Sequence, residues 1–127
     1  MQAKVIIFVF GLLVLVGCVG QQELSSDGSG TASFTGTWES EWGQLVLLQE
    51  GDTVTGSYTH DNGKIKGNVH GNVLKGTWSE APSYSAPQDA GDFEFVLTSD
   101  GKSWLGKWRY GSCGDWRTDW SASLLAK

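Results

Sequence analysis

The side chains with the chemistry for acid–base work fall mostly between the patterned stretches of this 127-residue chain: Glu41, Glu80, Asp89 and Asp115, with Asp92 close by. Two such carboxyls, one protonated and one ionised, are what hydrolysis of a glycosidic bond requires. The signal has little specificity, because 14 acidic residues make some such pair inevitable. No Ser/His/Asp pattern or phosphate-cradling glycine loop accompanies them. His60 and His70 do not stand at zinc-ligand spacing from each other or from a cysteine. The chain therefore reads as a non-enzyme, with no catalytic residue, no metal ligand and no cofactor.

Recognition is the chemistry these residues suit better. Trp42 stands beside Gly43 in a turn-like stretch, where the ring is either a lid or a stacking surface for a sugar, a peptide or another ring-bearing ligand. Tyr84, between Pro82 and Pro87, poses the same choice. The candidate ligand-binding set is Trp42, Tyr84 and Tyr110 as contact surfaces, with Glu80, Asp92 and Arg109 fixing orientation. Of the 7 tryptophans, Trp38, Trp78, Trp104, Trp108 and Trp120 take the inward parity and are assigned to the core. Gln49 shares a face with Leu45 and Leu47, and its amide is expected to bond a turn backbone.

A repeated signature defines the elements that must hold these side chains. Phe34-Thr-Gly36-Thr-Trp38, Val54-Thr-Gly56-Ser-Tyr58, Ile65-Lys-Gly67-Asn-Val69, Leu74-Lys-Gly76-Thr-Trp78 and Trp104-Leu-Gly106-Lys-Trp108 alternate with period two, so each central glycine shares a strand face with its apolar neighbours. Glycine inside a strand weakens it, so its recurrence implies sharp bending or an aromatic ring lying over bare backbone. Turn signals at Glu50-Gly51-Asp52, Asp61-Asn62-Gly63, His70-Gly71-Asn72 and Ser99-Asp100-Gly101 separate the runs, with the glycines expected where φ is positive. Strands are expected near 34–40, 44–49, 53–60, 64–70, 73–79, 92–98, 103–110 and 116–125.

Eight short strands at roughly 10-residue intervals predict an all-β domain, a small antiparallel up-and-down β-barrel; a sandwich or curved open sheet is the alternative. In such a meander the connections alternate between two ends. Segments 50–52, 70–72 and 99–102 gather at one, and the longer 40–43, 60–63, 80–91 and 111–115 at the other. The loop-rich end is where a ligand is expected.

Ahead of this domain, Lys4 precedes an uncharged apolar run that closes on Leu15-Val16-Gly17-Cys18. The segment resembles a prokaryotic lipoprotein signal peptide, with Cys18 as the residue to be lipidated. A retained anchor and an ordinary secretory signal are the alternatives, and all three carry the domain across a membrane. The resemblance divides the chain into a 1–18 signal peptide, a 19–33 flexible Gly/Ser-rich linker and a 34–127 barrel domain. It implies a cell-envelope location, lipid-anchored on the extracytoplasmic side of a bacterial inner or outer membrane or at an archaeal cell surface. Val19 is not the Asp associated with inner-membrane retention. With Cys18 assigned to lipid, Cys113 reads as an inert or partly buried thiol. Losing Lys4 makes the exported part more acidic than the net charge of −5 of the whole chain, which excludes nucleic acid as a main partner.

The segments Phe34-Thr35-Gly36-Thr37-Trp38, Gly43 and Val54-Thr55-Gly56-Ser57-Tyr58 resemble the opening hairpins of avidin-like barrels, and the strand plan is similar to lipocalin-like barrels and to other prokaryotic Gly/Trp-rich domains. The resemblance implies the fold. It does not imply biotin binding, because Glu39-Ser40-Glu41-Trp42-Gly43-Gln44 stands where that family begins its ligand contacts with Asn and Ser. The expected function is a lipid-anchored binding module for a small molecule, glycan or peptide. The alternative is a protein-interaction lipoprotein, such as an inhibitor of an exported hydrolase, or a structural envelope protein; some lipoprotein inhibitors resemble this plan.

Overall fold

A computed structural model describes residues 33–127; the expected signal peptide and all but the last residue of the expected linker lie outside the described residues. Eight antiparallel strands follow one another around a closed barrel: β1 (Gly36–Ser40), β2 (Gly43–Glu50), β3 (Thr53–Tyr58), β4 (Gly63–His70), β5 (Val73–Ser79), β6 (Ala90–Leu97), β7 (Ser103–Tyr110) and β8 (Arg117–Ala126). Closure runs through β1 and β8, where Trp38 faces Leu124 and Glu39 faces Ser123. Joining the first strand to the last leaves neither with a free edge to template aggregation.

Period-two alternation becomes burial directly. β4 alternates buried and exposed at every position from Gly63 to His70. The inward residues fill the barrel, with Trp38, Phe95 and Trp104 fully buried and the Phe95 and Trp104 rings stacked 3.7 Å apart at 15°. An eight-stranded barrel is just wide enough to be filled this way. All five tryptophans assigned to the core are buried.

The central glycines are bare because the sheet coils tightly. A Cβ on Gly76 would strike the Lys66 carbonyl oxygen and Gly67 Cα across the β4–β5 pairing, and one on Gly106 would come within 2.6 Å of the Phe95 ring. Both expected causes, bending and an overlying ring, are thus present. Gly63 departs from expectation. Its φ is −66°, and the positive φ of that turn falls on Asp61 (46°) and Asn62 (49°), residue types that tolerate the left-handed region. Gly63 is bare because the Tyr58 ring lies over it.

The two ends of the barrel differ. At the tight-turn end, Phe34 is 0% exposed; its N–H donates to Gln49 Oε1 at 2.9 Å, and its carbonyl accepts from Trp38 Nε1 at 2.9 Å. Gln49 Nε2 donates in turn to the Gly51 carbonyl at 3.0 Å, the turn-backbone bond expected of it. These contacts make Phe34 a plug and explain why β1 starts at Gly36 instead of residue 34. The opposite end carries the connections 41–42, 59–62, 80–89 and 111–116.

Candidate functional site: an aromatic cup at the loop-rich end

Trp42 turns over the open end because its short turn is pinned from below. Its backbone N–H donates to Ser40 Oγ at 3.2 Å, and that hydroxyl donates to the Gly43 carbonyl at 2.7 Å. Gly43 is required here: its φ is 94°, and a Cβ would strike Thr59 Oγ1. The indole lands 5.0 Å from the His60 ring and 5.6 Å from Trp108, the latter edge-on at 85°.

Below it, Trp78 meets Trp108 at 86° and 5.6 Å, and Tyr110 meets Trp108 at 78° and 5.0 Å. Rings at near right angles make walls with corners rather than a closed stack. Together with Trp120, His60 and Glu80 they enclose a cavity of about 50 Å³. Sites for whole drug-sized ligands run to about 300–1,000 Å³. This cup admits the end of a molecule, and the remainder must lie outside it.

The polar groups of the wall are largely committed. Trp78 Nε1 donates to the Arg109 carbonyl at 3.1 Å, Trp108 Nε1 to Asp119 Oδ1 at 2.7 Å and Trp120 Nε1 to Ser40 Oγ at 3.3 Å. Trp42 Nε1 is buried with no acceptor among the described residues. Tyr58, beneath the wall, donates its hydroxyl to Glu80 Oε1 at 2.7 Å. Burial, then the Glu80 bond and charge, push the Tyr58 phenol far above its ordinary pKa of 10.0, so it stays a donor. Glu80, its side chain 18% exposed, keeps Oε2 without a hydrogen bond among the described residues; His60 Nε2 stands 4.0 Å from it.

Of the six residues proposed from sequence, three come together: Trp42, Glu80 and Tyr110 line the cup. The other three lie elsewhere. Asp92 and Arg109 face each other across β6 and β7 on the outer wall, Arg109 Nε and Nη2 both donating to Asp92 Oδ2 at 3.0 and 2.7 Å. The same guanidinium lies 4.4 Å from the Trp116 ring, so the pair clamps the approach to β8. Tyr84 lies in the 80–89 loop with its hydroxyl donating to the Asn62 carbonyl at 3.1 Å. Glu41 accepts from Ser121, and Asp89 from Ser83, so both tie loops together.

Strand parity alone leaves His60 at this end without a role and assigns Trp78, Trp108 and Trp120 to the core. They are buried core residues whose outermost edges also form the cup, a double duty that strand parity does not reveal. His60, Asp61 and Glu80 bring one ligand atom each within 4.8 Å of one another, the grouping among the described residues able to hold a metal ion. It is assembled from the 59–62 turn and the start of the 80–89 loop, so spacing along the chain could not disclose it. Cys113 is exposed rather than partly buried, and it is disulfide-bonded rather than a free thiol.

Fold and site together define a small closed up-and-down barrel, plugged at one end and carrying an aromatic cup at the other. A scan against protein-family models and searches of curated proteins and of solved structures return no match.

Proposed function

We propose that the chain is a lipid-anchored extracytoplasmic binding module whose ligand docks at the loop-rich end of the barrel. The observation that carries this is the cup itself: five aromatic side chains and a half-buried carboxylate around an open cavity, at the end opposite the Phe34 plug. A barrel needing only stability would fill that space, since an unfilled cavity costs about 20 cal/mol per Å² of its surface. Anchorage through Cys18 would hold the cup close to the envelope surface and let its ligand be a component of that surface. The contact set retained is Trp42, Glu80 and Tyr110.

The test is intrinsic tryptophan emission on titration with envelope glycans, short peptides and small metabolites. Saturable quenching lost in Trp42→Ala supports the reading; no response from any class counts against it. Anchorage is tested separately. A sulfur carrying diacylglycerol is a thioether and cannot share a disulfide with Cys113, so intact mass before and after reduction decides between lipid and crosslink at Cys18.

One observation favours the protein-interaction reading. Val73, Val96 and Leu105 stand side by side on the outer faces of β5, β6 and β7, and Leu105 is 67% exposed. An outward apolar row suits a protein partner. Co-purification of one stoichiometric partner, lost in Leu105→Ser, would move the assignment to that class.

A further inference from the structure

We infer that the cup selects an organic cation, with a head group the size of trimethylammonium, seated between the rings and Glu80. This deepens the binding-module reading and rests on it.

Size comes first. A cavity of about 50 Å³, at roughly 10–15 Å³ for each water-sized group, takes about four heavy atoms. A trimethylammonium head has that number; a pyranose ring with its hydroxyls has more than twice as many.

The wall chemistry then narrows the class. A sugar or a peptide amide must recover hydrogen bonds when it leaves water, or the stripped polar groups oppose binding. This wall has few to return, because the N–H groups of Trp78, Trp108 and Trp120 and the Tyr58 hydroxyl already have acceptors. Beside the Trp42 N–H, the Tyr110 hydroxyl and the His60 ring nitrogens, what remains is carbon, π-electron density and one carboxylate oxygen. An aromatic ring carries negative charge over its face, so rings set at right angles beside a carboxylate stabilise a cation that makes no directional bonds. The chain supplies its own precedent: the Arg117 guanidinium lies 5.2 Å from the Trp108 centroid and 5.3 Å from that of Tyr110. Two rings of the wall thus already engage a cation.

Charge completes the argument. Glu80 Oε1 is fixed by Tyr58, and Oε2 is left without a hydrogen bond among the described residues. Asp61 stands beside His60 at 3.3 Å, and the chain as a whole is net negative at −5. A cation entering the cup meets an attractive field before it meets the rings.

The probes are choline and its neutral isostere 3,3-dimethylbutan-1-ol, which replaces the ammonium nitrogen with carbon and keeps the shape. Binding to the full chain in detergent is followed by saturation-transfer NMR on the methyl protons and by tryptophan emission. Choline is expected to bind in the millimolar range, about what four or so heavy atoms can supply. The isostere is expected to bind at least ten-fold more weakly. Glu80→Gln keeps an oxygen for the Tyr58 hydroxyl, so the fold should survive, while choline affinity falls about ten-fold. Arg117→Gln removes a like charge from beside two rings of the wall and should raise affinity a few-fold.

Equal binding of choline and the isostere overturns the cation assignment and leaves an apolar cup. Silence from both, with a glycan or a peptide bound instead, overturns it and preserves the binding module. Silence from every probe, unchanged in Trp42→Ala, removes both. Choline binding unaffected by Glu80→Gln and by Arg117→Gln places the cation elsewhere and overturns the seat argued here.

Discussion

Tyr58 and Glu80 show how a single contact serves both the barrel and its mouth. The phenol is buried against a carboxylate, so its ionised form is disfavoured first by desolvation and then by like charge. The folded-state pKa is raised above the unfolded one. The stabilisation is therefore fully present below pH 10 and is lost as pH climbs above the unfolded value toward the folded one. Absorbance titration at 295 nm should show a late phenol step that appears only on unfolding, from Tyr58. Tyr58→Phe should abolish the late step, flatten the loss of stability above pH 10 and cost about 1 kcal/mol at neutral pH. A wild-type titration with no step confined to the unfolded protein would contradict the assigned contact. The site was half legible at this scale. Trp42 and Glu80 meet at the cup because they lie outside the strand patterning, whereas Asp92 and Arg109 neighbour the rim only along the chain. Their parity, outward between inward Gly91, Phe93, Trp108 and Tyr110, assigns them to the outer wall.

Two kinds of glycine in the strands and turns separate cleanly by what an added methyl would meet. At Gly76 the Cβ would collide with backbone of the neighbouring strand, which cannot yield without breaking the β4–β5 register that sets Gly67 against Gly76. At Gly71 it would meet nothing among the described residues within 4 Å, but φ is +62°. Gly76→Ala should therefore cost about 3 kcal/mol, the upper part of the range for overpacking. Gly71→Ala should cost about 1–2 kcal/mol, the penalty of the left-handed region alone. Urea midpoints of the two variants measure this, and a reversed order would refute the steric reading of the strand glycines. The elements were legible because alternation, turn residues and glycine recurrence agree along the whole domain. The 59–62 segment was not, because Asp61 and Asn62 take the positive φ that the pattern offered to Gly63. Only the Tyr58 ring, packed on Gly63 from five residues upstream, explains that exchange.

At the scale of the molecule, closure decides everything that follows from the polarity of the two ends. The last strand is the seal: β8 pairs with both β7 and β1, brings Trp120 against Phe95 at 5.0 Å and Tyr58 at 5.2 Å, and sends Ser121 to meet Glu41. Without it, β1 and β7 would become exposed edges, and the cup would lose Trp120 from its wall. The seal also joins the two ends of the domain sequence, so its contacts form only after the longest loop in the chain has closed. A chain starting at Ser33 and running to Lys127 keeps all eight strands and the Phe34 plug, and should unfold in one cooperative transition. A chain ending at Asp115 keeps seven strands and most of the apolar core, so by composition alone it should fare nearly as well. Closure reverses that expectation: this shorter chain should lose cooperative unfolding and aggregate through its two open edges. Sedimentation and thermal scans of the two proteins distinguish these outcomes. A soluble, cooperative 33–115 protein would mean that the barrel does not need its seal, and that the loop-rich end is not held together by the strand that completes it.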